Sequence, residues 1–591
     1  MKQNKYLAFI AGLGLLFFGA CTDNYENFPV EKFTEDYVFS ETDSLGVEAQ
    51  KFMNNIYIFM RNGHNGIGGD YLDAASDDAI SIKQNDPDVY KLAVGRYSAS
   101  SRISSDMEWG EYYEGIRNAN ILIKNIDRVP FATKYVKALG GDTVLNASLK
   151  AEARFLRAYF YFELVKRYGG VPLMGDKVYK LGDNMEKARN SFAECIEYIS
   201  TELEDIEPDM RSINMSTEDK KAYAHIATAE AAAALRSRVL LYAASPLFNE
   251  KPIATNDARL IELVGYPDYD INRWGKAADA AKHFIETYGH LGNGNIDLSR
   301  LFINTFLNHY GSANPELIFF RQGGKDNSIE TKNGPLGFSG KALGNGRTNP
   351  TQNLVDAFLM KDGKFIGEST KYAYNPQRPY ENRDPRLDLT ILHHESKWLG
   401  RVLDTSKGGG NNPTNSAEYT KTSYYMRKFM GNFVTTPEYD TNYHLWVMFR
   451  YAEILLNYAE ALNEYNAAPT KEVYDIIVKL RKRAGLDAGT NKLYGLEDGM
   501  TKEEMRKVIQ NERRIEMAFE EHRYWDIRRW RLAEEIFQTP LKGIDIVKTV
   551  SSTTYTEVDV LKINFEEKRY LYPIPYSECI KNSNMVQNPK W

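Results

Sequence analysis

Arg450-Tyr-Ala-Glu-Ile-Leu-Leu-Asn-Tyr-Ala-Glu-Ala-Leu462 sets Ala452, Leu455, Ala459 and Leu462 on one face of a helix. That spacing of threes and fours is the helical period, and the alanines let a neighbouring helix approach closely. On the C-terminal side, residues 471–484 carry Val473, Ile476, Ile477 and Leu480 and stop at Gly485. Thr501-Lys-Glu-Glu504 is a capping box that opens a helix expected to reach about Phe519, and another is expected over 523–536. Upstream, Ala151 to Tyr168 aligns Phe155, Ala158, Phe162 and Val165, and Gly169, Gly170 and Pro172 stop it. Trp109 to Ile126 repeats the pattern with Tyr112, Ile116, Ala119 and Ile123. Further helices are expected at 185–206, 222–245 and 273–288.

Residues 289 to 445 differ in kind. Gly, Asn, Pro and Thr punctuate them, as in Gly408-Gly-Gly-Asn-Asn-Pro413, and short apolar runs such as Leu317 to Phe320 suggest isolated strands. The expected fold class is mostly α. Helical hairpins of irregular length, arranged as in tetratricopeptide proteins, form a scaffold that carries a loop-rich module with a few short strands.

The N-terminus reads as an export signal. Lys2 and Lys5 precede an apolar run from Leu7 to Phe18, and Gly19 and Ala20 lead into Cys21. The run is too short to span a bilayer comfortably and fits a signal-peptide core. Small residues before a cysteine fit a lipoprotein cleavage site, so Cys21 is the expected lipidation site. The expected organisation is a signal peptide at 1–20 and a tether with the N-terminal segment at 21–45. An N-terminal helical region at 46–288, a loop-rich insert at 289–445 and C-terminal helical hairpins with a tail at 446–591 complete one body.

The whole composition excludes several classes. A net charge of −6 offers no basic excess for nucleic acid. Beyond Cys21 only Cys195 and Cys579 remain, which gives neither a disulfide framework nor a zinc spacing. No metal or cofactor is expected. His-Glu-x-x-His, Gly-x-Ser-x-Gly and Walker motifs are missing, and His393-His394 reads as a loop pair.

Four segments, in order, resemble the SusD/RagB family of outer-membrane nutrient-binding lipoproteins. They are Ala151-Glu-Ala-Arg-Phe-Leu-Arg-Ala158 running into Tyr168-Gly-Gly-Val-Pro-Leu173, the 450–462 segment, Asn511-Glu-Arg-Arg-Ile-Glu-Met-Ala-Phe-Glu520 with Arg523-Tyr-Trp-Asp-Ile-Arg-Arg-Trp530, and Tyr572-Pro-Ile-Pro575 with Gln587-Asn-Pro589. The resemblance implies a helical scaffold bearing a loop-rich module. It also implies a lipid anchor in the outer membrane facing the cell exterior, a SusC-like TonB-dependent transporter as partner, and an oligosaccharide as cargo. The alternatives are a surface glycoside hydrolase and a binder of peptide or another non-glycan nutrient.

Glu512, Glu516 and Glu520 repeat at i+4 and could pose as a pair of glycosidase carboxylates. The neighbouring arginines favour a structural reading, because they depress carboxyl pKa values where hydrolysis needs one raised. The protein is therefore expected not to be an enzyme. Glycan binding calls for flat rings beside polar side chains, and 39 Tyr offer many candidates. Loop positions with that mixture are Asp70, Tyr71, Asp77, Arg96 and Tyr97 in the N-terminal part, and Tyr310, Phe320, Arg321, Phe338 and Asn345 in the insert. A shallow site of this kind implies micromolar to millimolar affinity, about −8 to −4 kcal/mol.

Overall fold

The computed structural model describes residues 34–85, 87–180, 182–212, 225–289, 314, 316–414, 418–431 and 443–591. The export signal with Cys21, part of the tether, and Tyr310 lie outside the described residues. Eight long helices carry the scaffold: α1 (Trp109–Asn125), α2 (Leu145–Tyr168), α3 (Phe192–Ile206), α4 (Ala229–Ala244), α5 (Asn272–Tyr288), α6 (Tyr451–Tyr465), α7 (Lys471–Ala484) and α8 (Lys502–Glu516). Each packs on the next through α6, and α6 then packs on both α7 and α8. Successive stacking of this kind buries the apolar stripe of each helix on its neighbour, as in helical repeats. It is the mostly α, tetratricopeptide-like architecture expected from the periodicity.

Residue size explains the close approaches. Ala231 to Ala234 of α4 and Ala277, Ala278, Ala280 and Ala281 of α5 are all buried. Ala461 of α6 joins Ala277, Ala278, Leu241 and Trp274 in one small cluster. The central α2 is buried on nearly every side, including Phe155, Phe160, Tyr161 and Phe162. It ends at Gly169, whose φ of +76° disfavours a side chain. A Cβ on Gly170 would stand 2.1 Å from the Asn190 carbonyl oxygen, so two backbones cross there. Arg189 ties that crossing to the C-terminal tail by donating to the carbonyls of Tyr168, Gly170 and Val586.

Several element boundaries differ from the sequence reading. α3 begins at Phe192 rather than at 185, because Ser191 and Glu194 form a reciprocal capping box. α8 ends at Glu516, and Phe519 and Glu521 adopt left-handed φ. The helix expected over 523–536 is broken into α9 (Arg523–Arg529) and a single turn at Ala533–Ile536, with Arg531 at φ +61° between them. Helix was expected to resume at about Trp446, yet Tyr443–Arg450 is a strand. Residues 541–561, read as tail, form an antiparallel ribbon in which Leu541–Lys548 pairs with Thr553–Leu561.

The strands between α5 and α6 stitch distant segments together. With β1 at Ala79–Ser81, β2 at Leu317–Lys325, β3 at Thr348–Pro350 and β4 at Tyr443–Arg450, β1 pairs antiparallel with β3 and β2 pairs antiparallel with β4. The first pair clamps the N-terminal loop to the middle module. The second leads straight into α6, so the loop-rich face is mounted on the helical scaffold.

Candidate functional site

The loop from Arg61 to Asp70 leaves the first helices and lies against β4. Gly63 is required by that contact, since a Cβ would fall 2.1 Å from the Trp446 ring. His64 is enclosed by Tyr71, Phe429, His444 and Trp446. Its Nε2 lies 2.8 Å from the Leu445 carbonyl oxygen and its Nδ1 2.8 Å from the Tyr71 hydroxyl. Burial lowers the His64 pKa to about 3, so the ring is neutral. Asn65 accepts from Asn333 Nδ2 at 2.8 Å, which joins this loop to the segment that follows β2.

On the other side, residues 334–347 fold back on themselves. Gly346 N–H donates to the Gly334 carbonyl and Arg347 N–H to the Lys332 carbonyl. Asn411 Nδ2 donates to the Leu336 carbonyl at 2.6 Å, which brings residues 401–413 alongside. Together with the bonds from Arg347 to Gly68 and Asp70, these contacts bring three loops, 61–70, 334–347 and 401–413, alongside one another.

Most of the residues nominated from the sequence are parts of this framework rather than of its surface. Asp70 is buried and accepts from Arg347 Nε at 3.0 Å and Nη2 at 2.8 Å. Burial raises its pKa despite the Arg347 partner. Tyr71 is fully enclosed, stacked parallel to Phe429 with ring centroids 5.8 Å apart. Asp77 bridges Arg523, at 2.8 and 2.9 Å, and Arg514 at 2.9 Å. Burial alone would raise the Asp77 pKa, but Arg514 and Arg523 outweigh it and hold the carboxyl below its usual range. Tyr97 is wedged between Tyr572 and Trp591 of the tail, and Phe320 lies in the interior of β2. A ring closed in on both faces has nothing to stack on a sugar, so Tyr71, Tyr97 and Phe320 are corrected from platforms to packing residues. Asp70 and Asp77 are likewise corrected to buried ion-pair partners.

Of the remaining nominees, Arg96, Arg321 and Asn345 retain some access. Arg96 is exposed, with its guanidinium 5.5 Å from the Tyr90 ring. Arg321 is half-buried, and Nη1 donates to the Met60 carbonyl. Phe338 is 9% exposed and buried in the core, with the Arg401 guanidinium 4.3 Å from its ring centroid, so it too is corrected from a platform to a packing residue. Asn345 is exposed, with Nδ2 donating to the Thr331 carbonyl at 2.8 Å. Asn345, Arg347 and Arg401 thus stand where these loops meet, with the Phe338 ring beneath Arg401. The sequence reading did not nominate Arg401. Its partnership with a phenylalanine 63 positions away leaves no local signal.

The glutamate ladder is locked. Glu516 accepts from Arg386 Nη1 at 3.0 Å, Arg450 Nη1 at 2.8 Å and Arg483 Nη2. Glu512 pairs with Arg386 and Arg481, and Glu520 with Arg450 and Lys428. Burial acts to raise the Glu516 pKa, but Arg483, Arg450 and Arg386 overcome it and hold the group well below the usual carboxylate range. Held in this way, Glu516 is the opposite of the raised-pKa acid that glycoside cleavage needs. The cavity beside Glu520 measures about 40 Å³, far below the several hundred that a small-molecule ligand occupies. Among the described residues, no group of three or more His, Cys, Asp or Glu is arranged to hold a metal ion.

These shifts predict the acid response. Glu163, lowered to about 2 by Lys166 and Arg167 against its burial, behaves as Glu516 does. A depressed folded-state pKa contributes stability above the unfolded value, lost as pH falls through the folded one. Asp73, Glu152 and Glu521 are raised by burial and act in the opposite sense, favouring the fold as they take up protons. Urea midpoints should therefore hold or rise from pH 7 towards about 5 and fall steeply between about 4.5 and 2. A midpoint unchanged at pH 3 would show that the lowered group is solvated.

Comparison with known proteins bears on the whole chain. Residues 315–591 match the model described as the SusD family, and residues 36–241 match one described as starch-binding associating with outer membrane. A SusD-like protein of Formosa agariphila is 36% identical over 152 residues, 26% of this chain and 26% of that protein. Another from the same organism is 23% identical over 529 residues, 87% of this chain and 85% of that protein. The crystal structure of a SusD-like protein from Bacteroides fragilis superposes with a TM-score of 0.74 at 25% identity, covering 94% of this chain and 99% of that one.

Proposed function

This chain belongs to the SusD/RagB family of outer-membrane-associated, carbohydrate-binding proteins, and from that premise we propose that it captures an oligosaccharide at the cell surface and passes it, unaltered, to a SusC-like TonB-dependent transporter. Cys21 is the lipid attachment point, and the body faces the exterior. The observation that carries this reading is the match of residues 36–241 to the starch-binding, membrane-associating model. The locked glutamate ladder favours capture over hydrolysis, since glycoside cleavage needs one carboxylic acid held protonated within reach of substrate.

The ligand surface is the convergence of the three loops. The exposed Arg401 guanidinium, held over the buried Phe338 ring, offers a flat face, and Asn345 and Arg347 offer polar groups for hydroxyls. A glycan array on the mature chain identifies the ligand. Phe338→Ala, Asn345→Ala and Arg401→Ala are each expected to weaken its binding by roughly tenfold, about 1.4 kcal/mol, without changing the circular dichroism. Unchanged affinity in all three variants would remove this surface from consideration.

A further inference from the structure

Positive charge on the loop-rich module is left uncompensated. Residues 325–347 and 393–413 carry seven Lys and Arg against four Asp and Glu, in a chain whose net charge is −6. Three of the four carboxylates are turned to other uses. Glu330 is buried, 3.0 Å from His444 Nε2, and Asp326 lies 3.8 Å from Nδ1 of the same ring. Asp404 accepts from the Ser406 hydroxyl and amide and lies 3.8 Å from Lys548 Nζ. The fourth, Glu395, is exposed, and its charge acts on Tyr555 of the 541–561 ribbon.

Two cations where the loops meet have no such partner. Arg401 is exposed, and among the described residues no carboxylate pairs with it. The Phe338 ring, 4.3 Å away, holds its guanidinium from one side. The backbone is fixed as well, because Arg401 pairs across the Lys397–Val402 hairpin with Trp398, which is buried. A guanidinium seated in this way has less freedom to lose on binding, and its N–H edge remains a fork matched to two oxygens of one anion. Lys341, in the turn Gly340–Ala342 just after Phe338, is exposed and likewise pairs with no carboxylate among the described residues. Arg347 adds little charge of its own, since Asp70 holds it.

Resting on the glycan reading above and narrowing it to a substrate class, we propose that the loop surface selects an acidic glycan, whose carboxylate or sulfate group is held by the Arg401 fork with Lys341 on the adjoining loop. Asn345 is left to pair with sugar hydroxyls. A neutral oligosaccharide offers neither cation an opposite charge. Uncompensated positive charge also draws an anionic chain towards the surface, an attraction that salt screens.

The test places matched pairs on the glycan array: oligogalacturonate with its methyl ester for the carboxylate, and chondroitin sulfate oligosaccharide with its desulfated form for the sulfate. The mature chain is expected to select acidic glycans and to bind the more charged member of at least one pair roughly tenfold more tightly. A gap in the first pair alone identifies the carboxylate, and a gap in the second identifies the sulfate. Affinity for the selected glycan should fall roughly tenfold between about 0.05 and 0.5 M NaCl. Arg401→Gln should weaken it by roughly tenfold and flatten that salt dependence, with unchanged circular dichroism, and Arg401→Lys should restore only part of the loss, since an ammonium is a point charge without the fork. Selection of neutral glycans alone, or acidic binding indifferent to both salt and Arg401→Gln, overturns the proposal and leaves the reading of glycan capture standing. A chain that binds no glycan on the array rejects that reading and this proposal together.

Discussion

Arg450→Met is expected to lower the free energy of unfolding by about 3–5 kcal/mol, the usual cost of removing one partner from a buried ion pair. Arg450 Nε donates to Glu520 at 2.7 Å, Nη1 to Glu316 at 2.9 Å and to Glu516 at 2.8 Å, and Nη2 to the Glu516 carbonyl at 2.7 Å. Glu516 is 0% exposed, and without Arg450 its charge is balanced only by Arg386 and Arg483. The loss is a large fraction of a typical domain stability of about 5–15 kcal/mol. Urea denaturation of the wild type and the variant measures it. A change below about 1 kcal/mol would mean that water already screens the cluster as it screens surface pairs, and the structural account of the ladder would fail.

Asp77→Ala is expected to have a comparable cost, about 3–5 kcal/mol, because it strands Arg523 and weakens the hold on Arg514. This variant also separates two readings of one residue. If Asp77 serves the fold, the remaining folded protein keeps its glycan affinity while its melting temperature drops. If Asp77 contacts ligand, affinity falls and the melting temperature stays. The buried, bidentate geometry with Arg523 predicts the first outcome.

The difference between these two residues shows what a sequence carries. The structural role expected of the 512–520 carboxylates holds, but their partners are Arg386, Arg450, Arg481, Arg483 and Lys428, 31 to 130 positions away, while the neighbouring Arg513, Arg514 and Arg523 serve Asp77, Asp78 and Asp526. The stop of α2 at Gly169-Gly170 and the capping box at Thr501 are legible because both act within a few residues. Asp70 and Asp77 sit in loops, where polar residues are usually solvated. Their partners lie 277 and 446 positions away, so nothing near them in the chain reveals that they are buried. The same distance hides Tyr97 beneath Trp591 at the C-terminus. The 541–561 ribbon was missed because its outer strand is largely exposed and polar, which blurs the alternation that marks a half-buried strand. Loop residues chosen by type alone therefore favoured rings that the fold had already used for packing. The surviving positions Asn345 and Arg401 depend on loops meeting, which is a property of topology.

The most direct measurement of the central claim is to incubate the purified mature chain with starch and with the glycan that the array selects, and to follow bound ligand and new reducing ends in the same samples. Saturable binding with reducing ends at the level of the protein-free control is the predicted result. Turnover that co-purifies with the chain and disappears in Glu516→Gln would contradict it.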